Sequence, residues 1–96
     1  MKLEKLIEER RGDILRICRL HGARSVRLFG SYARRASTEA SDIDLLVELR
    51  PGSSLLDLVA IKQDLEDLLG CKVDVVTESS LSPYIREDVL KEAIVL

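Results

Sequence analysis

Apolar residues in this chain switch repeatedly between helical spacing and short extended runs, and that switching limits what 96 residues can build. Leu3, Leu6, Ile7, Ile14, Ile17 and Cys18 recur at helical intervals, which predicts an amphipathic helix over about residues 2–21. Gly12 weakens its middle, where glycine costs about 1 kcal/mol against alanine, and leaves a kink or a break into two helices open there. His21-Gly22 ends the helix, with glycine at a left-handed position and histidine near the negative end of the dipole. The chain's single histidine therefore reads as a capping or exposed group rather than a catalyst.

The stretch ARSVRLF, ending at residue 29, alternates as a first strand, and a second covers about 42–49 before the Pro51-Gly52 turn. Ser53 or Ser54 can cap the next helix, whose stripe is Leu55, Leu58, Ile61, Leu65 and Leu68 and whose stop is Gly70. KVDVVT, residues 72–77, is a third strand. Pro83 opens a last helix from Tyr84 to about Ala93, with Ile85, Val89, Leu90 and Ala93 directed inward. This order predicts a two-layer α/β (α+β) domain: a small mixed sheet of about three strands with helices packed on it, as a single domain over residues 1–96. No repeat, linker or low-complexity segment interrupts it.

Two aspartates, Asp42 and Asp44, open the otherwise apolar second strand. Period-2 geometry sends both to one face, where like charges repel and a bound cation would compensate. Asp74 likewise interrupts the valines of the third strand. If the second and third strands are neighbours, Asp42, Asp44 and Asp74 converge on an all-oxygen site for a hard divalent ion. Gly30-Ser31 follows the first strand, and the next residues, YARR, can begin a helix whose free amides point at an anion. Carboxylates beside an anion-binding loop suit Mg²⁺ with a triphosphate, since Mg²⁺ takes few carboxylates plus phosphate oxygens.

These residues carry a resemblance. Gly30-Ser31, ten intervening residues, then Asp42-Ile43-Asp44 reproduce the signature of the minimal nucleotidyltransferases, small relatives of the polymerase β-like nucleotidyltransferase superfamily. At ordinary residue usage that pattern arises by chance in about one such chain in a thousand. GSYAR, SDIDLLV, a later strand with a single Asp and a helical carboxy-terminal segment extend the likeness from about residue 5 to the end. It implies metal-dependent transfer of a nucleoside monophosphate from a triphosphate, most simply AMP from ATP, to an acceptor hydroxyl. Carried over by position, Asp42, Asp44 and Asp74 would hold two Mg²⁺ ions. Gly30 and Ser31 would bind the β and γ phosphates, and Arg34 matches a basic position that contacts phosphate, whereas Arg35 reads as an exposed helix charge.

The resemblance also implies a partner, because members of this family pair with small helical HEPN-domain toxins and some transfer AMP to a tyrosine on them. The expected function is that of an antitoxin that adenylylates its toxin. Two alternatives stay open: a binding antitoxin that masks the toxin's active site without catalysis, and a transferase acting on a small molecule such as an aminoglycoside. Ninety-six residues leave no length for domains that grip a primer, so templated polymerisation is not expected.

The net charge of -2 and pI near 5.4 argue against general nucleic-acid binding, although a local basic patch is compatible with them. MKLEKLIEERRGD is too charged for a signal peptide and no run nears the roughly 20 apolar residues of a membrane span, so a cytoplasmic protein is expected. Cys18 and Cys71 fall in apolar-patterned segments and read as two buried free thiols, neither bridged nor metal-bound. Ile94, Val95 and Leu96 can pack inside or form a surface for a homo- or hetero-oligomer.

Overall fold

In the computed structural model, which describes residues 3–29 and 43–96, helix α1 (Leu3–Leu20) leads into strand β1 (Ala23–Phe29). Strand β2 (Ile43–Leu49), helix α2 (Leu55–Leu69) and strand β3 (Val73–Thr77) follow. A single 3-10 turn, Glu78–Ser80, leads to helix α3 (Pro83–Glu92) and a short strand β4 (Ile94–Val95). The sheet is mixed, in the order β3-β2-β1-β4. β1 runs antiparallel to both β2 and β4, and β2 runs parallel to β3 through the α2 crossover.

One face of the sheet makes the core. Val26, Leu28, Ile43, Leu45, Val47 and Val73 point to it and meet Ile7, Ile14 and Cys18 of α1 and Ile61, Leu65 and Leu69 of α2 in one buried cluster. Since strand side chains alternate, the polar residues between these positions must occupy the opposite face.

α1 is a single unbroken helix, without the kink or break that Gly12 left open. Gly12 sits on the solvent side, with nothing within 4 Å of where a Cβ would stand, and Asp13 next to it pairs with Arg10 at 3.6 Å and Arg16 at 3.0 Å. An exposed glycine removes no core contact, so its propensity cost is borne without a kink. α1 ends as the sequence indicates, with Gly22 at φ +91° and its amide donating to the Arg19 carbonyl at 3.1 Å. The His21 side chain is neither a cap nor plainly exposed: its Nε2 lies 2.7 Å from Asp64 Oδ2 and ties the end of α1 to α2.

α2 is capped by Ser54, whose hydroxyl accepts from the Leu56 amide at 3.2 Å while Asp57 returns a carboxylate to the Ser54 amide at 2.9 Å. Its buried stripe is shifted from the predicted one: Leu69 is buried, Leu58 and Leu68 only partly, and Leu55 is 78% exposed because the first turn stands at the rim of a cavity. α3 also departs from expectation. It has no buried residue, and Ile85 remains half exposed, because the helix carries the chain from the β3 edge of the sheet to the β4 edge instead of packing on the core.

β4 is the fourth strand that the sequence pattern did not reveal. Two residues show no period, and only the pairing of Arg27 with Val95 and Leu28 with Ile94 defines the strand. Cys18 is fully buried, which pushes its thiol up to about 11, whereas Cys71 is only partly buried; neither is in a disulfide. No helix among the described residues is long and apolar enough to cross a membrane.

Gly22 gives the first prediction. A Cβ added there would stand 2.7 Å from Ser53 Oγ, whereas one at Gly52, also at φ +91°, would meet nothing within 4 Å. Gly22→Ala should therefore lower stability by about 1–3 kcal/mol in urea denaturation. It should also cost more than Gly52→Ala, which carries the backbone strain alone.

Candidate active site

The parallel register of β2 and β3 aligns Ile43 with Val73, Asp44 with Asp74 and Leu45 with Val75. Directly paired residues on adjacent strands share a face. Asp44 and Asp74 are thus cross-strand neighbours on the face opposite α1 and α2, and both are partly buried. Phe29 of β1 pairs with Asp44 on the other side, so Phe29, Asp44 and Asp74 form one row across three strands. The next row is Arg27, Leu46 and Val76, and beyond it lie Ser25 and Glu48.

Two carboxylates side by side on a sheet repel, and their spacing must be held by the frame behind them. That frame is anchored at the start of both strands. The Ile43 amide donates to the Lys72 carbonyl at 3.0 Å, locking the first residue of β2 to the residue before β3. From α2, Glu66 accepts from the Val73 amide at 3.1 Å and from Lys62 Nζ at 3.2 Å, and Lys62 Nζ donates to the Val73 carbonyl at 2.7 Å. Both backbone polar groups of the residue before Asp74 are therefore held by one helical ion pair. The Val73 amide and the Lys62 ammonium hold the Glu66 carboxyl below the usual glutamate range. An i,i+4 Lys–Glu pair is visible in the sequence, but its reach to β3 is not.

Of the six residues singled out from the sequence, Asp44 and Asp74 are brought together. Gly30, Ser31, Arg34 and Asp42, with Arg35 beside them, lie outside the described residues. Among the described residues no three His, Cys, Asp or Glu side chains cluster as a ligand set. The donor chemistry of the Asp44–Asp74 pair, carboxylate oxygens alone on a partly buried face, suits a hard divalent cation.

A cavity of about 840 Å³ opens over the rows beyond the pair. Arg27, Leu46, Arg50, Leu58 and Arg86 are among its walls. Arg86 donates to the Leu81 carbonyl at 3.2 Å, while its Nε is buried with no hydrogen-bond partner among the described residues. Sequence reasoning missed Arg27, Arg50 and Arg86 as a group, because no spacing rule connects a strand, a turn and a late helix.

Residues 13–96 match the nucleotidyltransferase domain family. A Methanocaldococcus jannaschii protein, provisionally named a protein adenylyltransferase, is 47% identical over 88 residues, covering 92% of this chain and 95% of that protein. A solved structure described provisionally as a minimal nucleotidyltransferase superposes with a TM-score of 0.87 at 50% identity, covering 100% of this chain and 97% of the other. A toxin–antitoxin complex, MntA–HpeT with a tyrosine-to-alanine substitution, matches with a TM-score of 0.72 at 26% identity, over 90% of this chain and 70% of that one.

The Glu66 clamp has a pH signature. Its folded pKa is lowered from the ordinary 4.5, so the stability it adds is present above that value and is lost as the pH falls through the lowered one. Denaturation across a pH series should show wild type more stable than Glu66→Gln at neutral pH, with the difference closing in acid.

Proposed function

The chain belongs to the nucleotidyltransferase domain family, and from that premise we propose that it transfers AMP from ATP to a tyrosine hydroxyl of a small helical HEPN-type toxin, silencing it. The observation that carries this reading is the side-by-side placement of Asp44 and Asp74 on the sheet face opposite α1 and α2. The likeness to protein adenylyltransferases along nearly the whole chain supports a polypeptide acceptor, and the MntA–HpeT neighbour supports a toxin as that polypeptide.

In this reading Asp44 and Asp74, with Asp42, would hold Mg²⁺ through carboxylate oxygens. Bound there, the metal would lower the pKa of the attacking hydroxyl and neutralise charge on the departing pyrophosphate. The chain's own groups do the rest. Gly30 and Ser31 bind the β and γ phosphates through backbone amides and a hydroxyl, and Arg34 adds a guanidinium to the same polyphosphate. The acceptor oxygen attacks the α-phosphorus, the bond from that phosphorus to the bridging oxygen breaks, and pyrophosphate leaves. A carboxylate oxygen of Asp74 takes the hydroxyl proton and passes it to solvent. The Lys62–Glu66 clamp keeps Asp74 in register with Asp44, so the two carboxylates need not be drawn together when substrate arrives. ATP as donor and two cysteines outside any disulfide suit a cytoplasmic site of action.

Labelled AMP should move from ATP to the co-expressed toxin in Mg²⁺, and Asp44→Asn or Asp74→Asn should lower that transfer by about a hundredfold or more. Loss of toxin neutralisation alongside transfer supports the enzymatic reading, and neutralisation that survives Asp44→Asn establishes masking instead. One of these variants has a signature in stability. Asp74→Asn removes one of two repelling charges, so without divalent ions it should melt no lower than wild type, and Mg²⁺ should raise the melting temperature of wild type and not of this variant.

A further inference from the structure

The cavity beside the carboxylate pair has a chemical character of its own. It begins at Leu46, two residues along β2 from Asp44 and so within roughly 7 Å of it, on the same face of the sheet. Three arginines from three elements line it: Arg27 from β1, Arg50 from the turn after β2 and Arg86 from α3. Two acids, Glu48 and Glu78, also reach it, but Glu48 already has Arg24 at 3.9 Å. The wall is therefore locally basic on a chain whose net charge is -2. The unpartnered, buried Nε of Arg86 is a donor that lacks an acceptor among the described residues.

Apolar groups complete the lining. Leu46 is buried in the wall, Leu58 is partly buried, and Leu55 at the rim is 78% exposed, beside Leu56 at 79%. A basic wall with leucine contacts and an open mouth fits an extended polypeptide carrying acidic side chains and an apolar anchor. A continuous phosphate backbone fits it less well, because its charge would run unbroken past Glu48 and Glu78, whereas a peptide can place its carboxylates at the arginines alone. We infer that this cavity is the acceptor subsite, and that it selects a target tyrosine flanked by Asp or Glu by pairing those carboxylates with Arg27, Arg50 and Arg86.

The inference rests on the adenylyltransferase reading for its acceptor, but its test does not need turnover. Fluorescent short peptides, each with one tyrosine flanked by acidic, neutral or basic residues, are titrated with the full chain in Mg²⁺ and a non-hydrolysable ATP analogue, and anisotropy reports binding. The acidic peptide should bind about tenfold more tightly than the other two, a preference that added salt reduces. Arg50→Glu should erase the preference. Arg50 is exposed, and its backbone amide bond to the Gly22 carbonyl at 2.8 Å does not involve the side chain, so this variant keeps the fold. Arg86→Gln, checked by its melting temperature, should weaken the preference in the same direction.

Equal binding of the three peptides overturns the inference, as does an acidic preference untouched by Arg50→Glu. Displacement of the acidic peptide by a short single-stranded RNA at lower concentration would assign the cavity to nucleic acid. Crosslinking of 8-azido-ATP within residues 46–55 would assign it to the nucleotide base. Preferential binding without transfer of AMP to any acceptor would sink the proposed activity and leave the subsite standing, whereas transfer with no charge preference would do the reverse.

Discussion

The parallel pairing of β2 with β3 is the constraint from which the rest of this molecule follows. A shift of one residue would send Asp74 into the leucine and valine core and leave Asp44 without its neighbour. The cost of burying an unpaired carboxylate there, together with the burial of Ile43, Leu45 and Val73 in the same cluster, fixes the register from both faces. The apolar face and the acidic face thus specify the same alignment. Site and core are two readings of one strand pair.

A like-charged pair on a sheet opposes folding, and its position shows how the chain sustains it. α2 packs on one side through Ile61, Leu65 and Leu69, and one turn of the same helix sends Lys62 and Glu66 to the first residue of β3. The helix that supplies the burial also supplies the alignment. His21 with Asp64 then joins α1 to that helix, so both helices of the core layer bear on the strand carrying Asp74. Glu66 reports the arrangement through its lowered pKa, since a carboxylate that accepts from a backbone amide favours its charged form.

Much of this was legible in the residues, and the failures have physical causes. Helix ends at Gly22, Ser54, Gly70 and Pro83 were readable because capping chemistry is local. The meeting of Asp44 and Asp74 was readable conditionally, because alternation fixes the face but not which strands are neighbours. β4 was not readable, since a two-residue strand exists only through its partner. The exposure of Leu55 and Ile85 was missed because helical period says which side chains align, not how far the core extends beneath them. Gly12 left a kink open for the related reason that propensity weighs a residue without asking which side of the helix it is on.

α3 forms part of the cavity wall and yet contributes no buried side chain. An element so lightly attached to the core has little of the global stability behind it, and its amides should exchange with solvent through openings far cheaper than unfolding of the sheet. The wall that carries Arg86 is therefore thermodynamically separable from the scaffold that carries the aspartates. An occupant that touches Arg86 gains that contact only while the helix is folded, so occupancy and helix order become linked quantities, each raising the other.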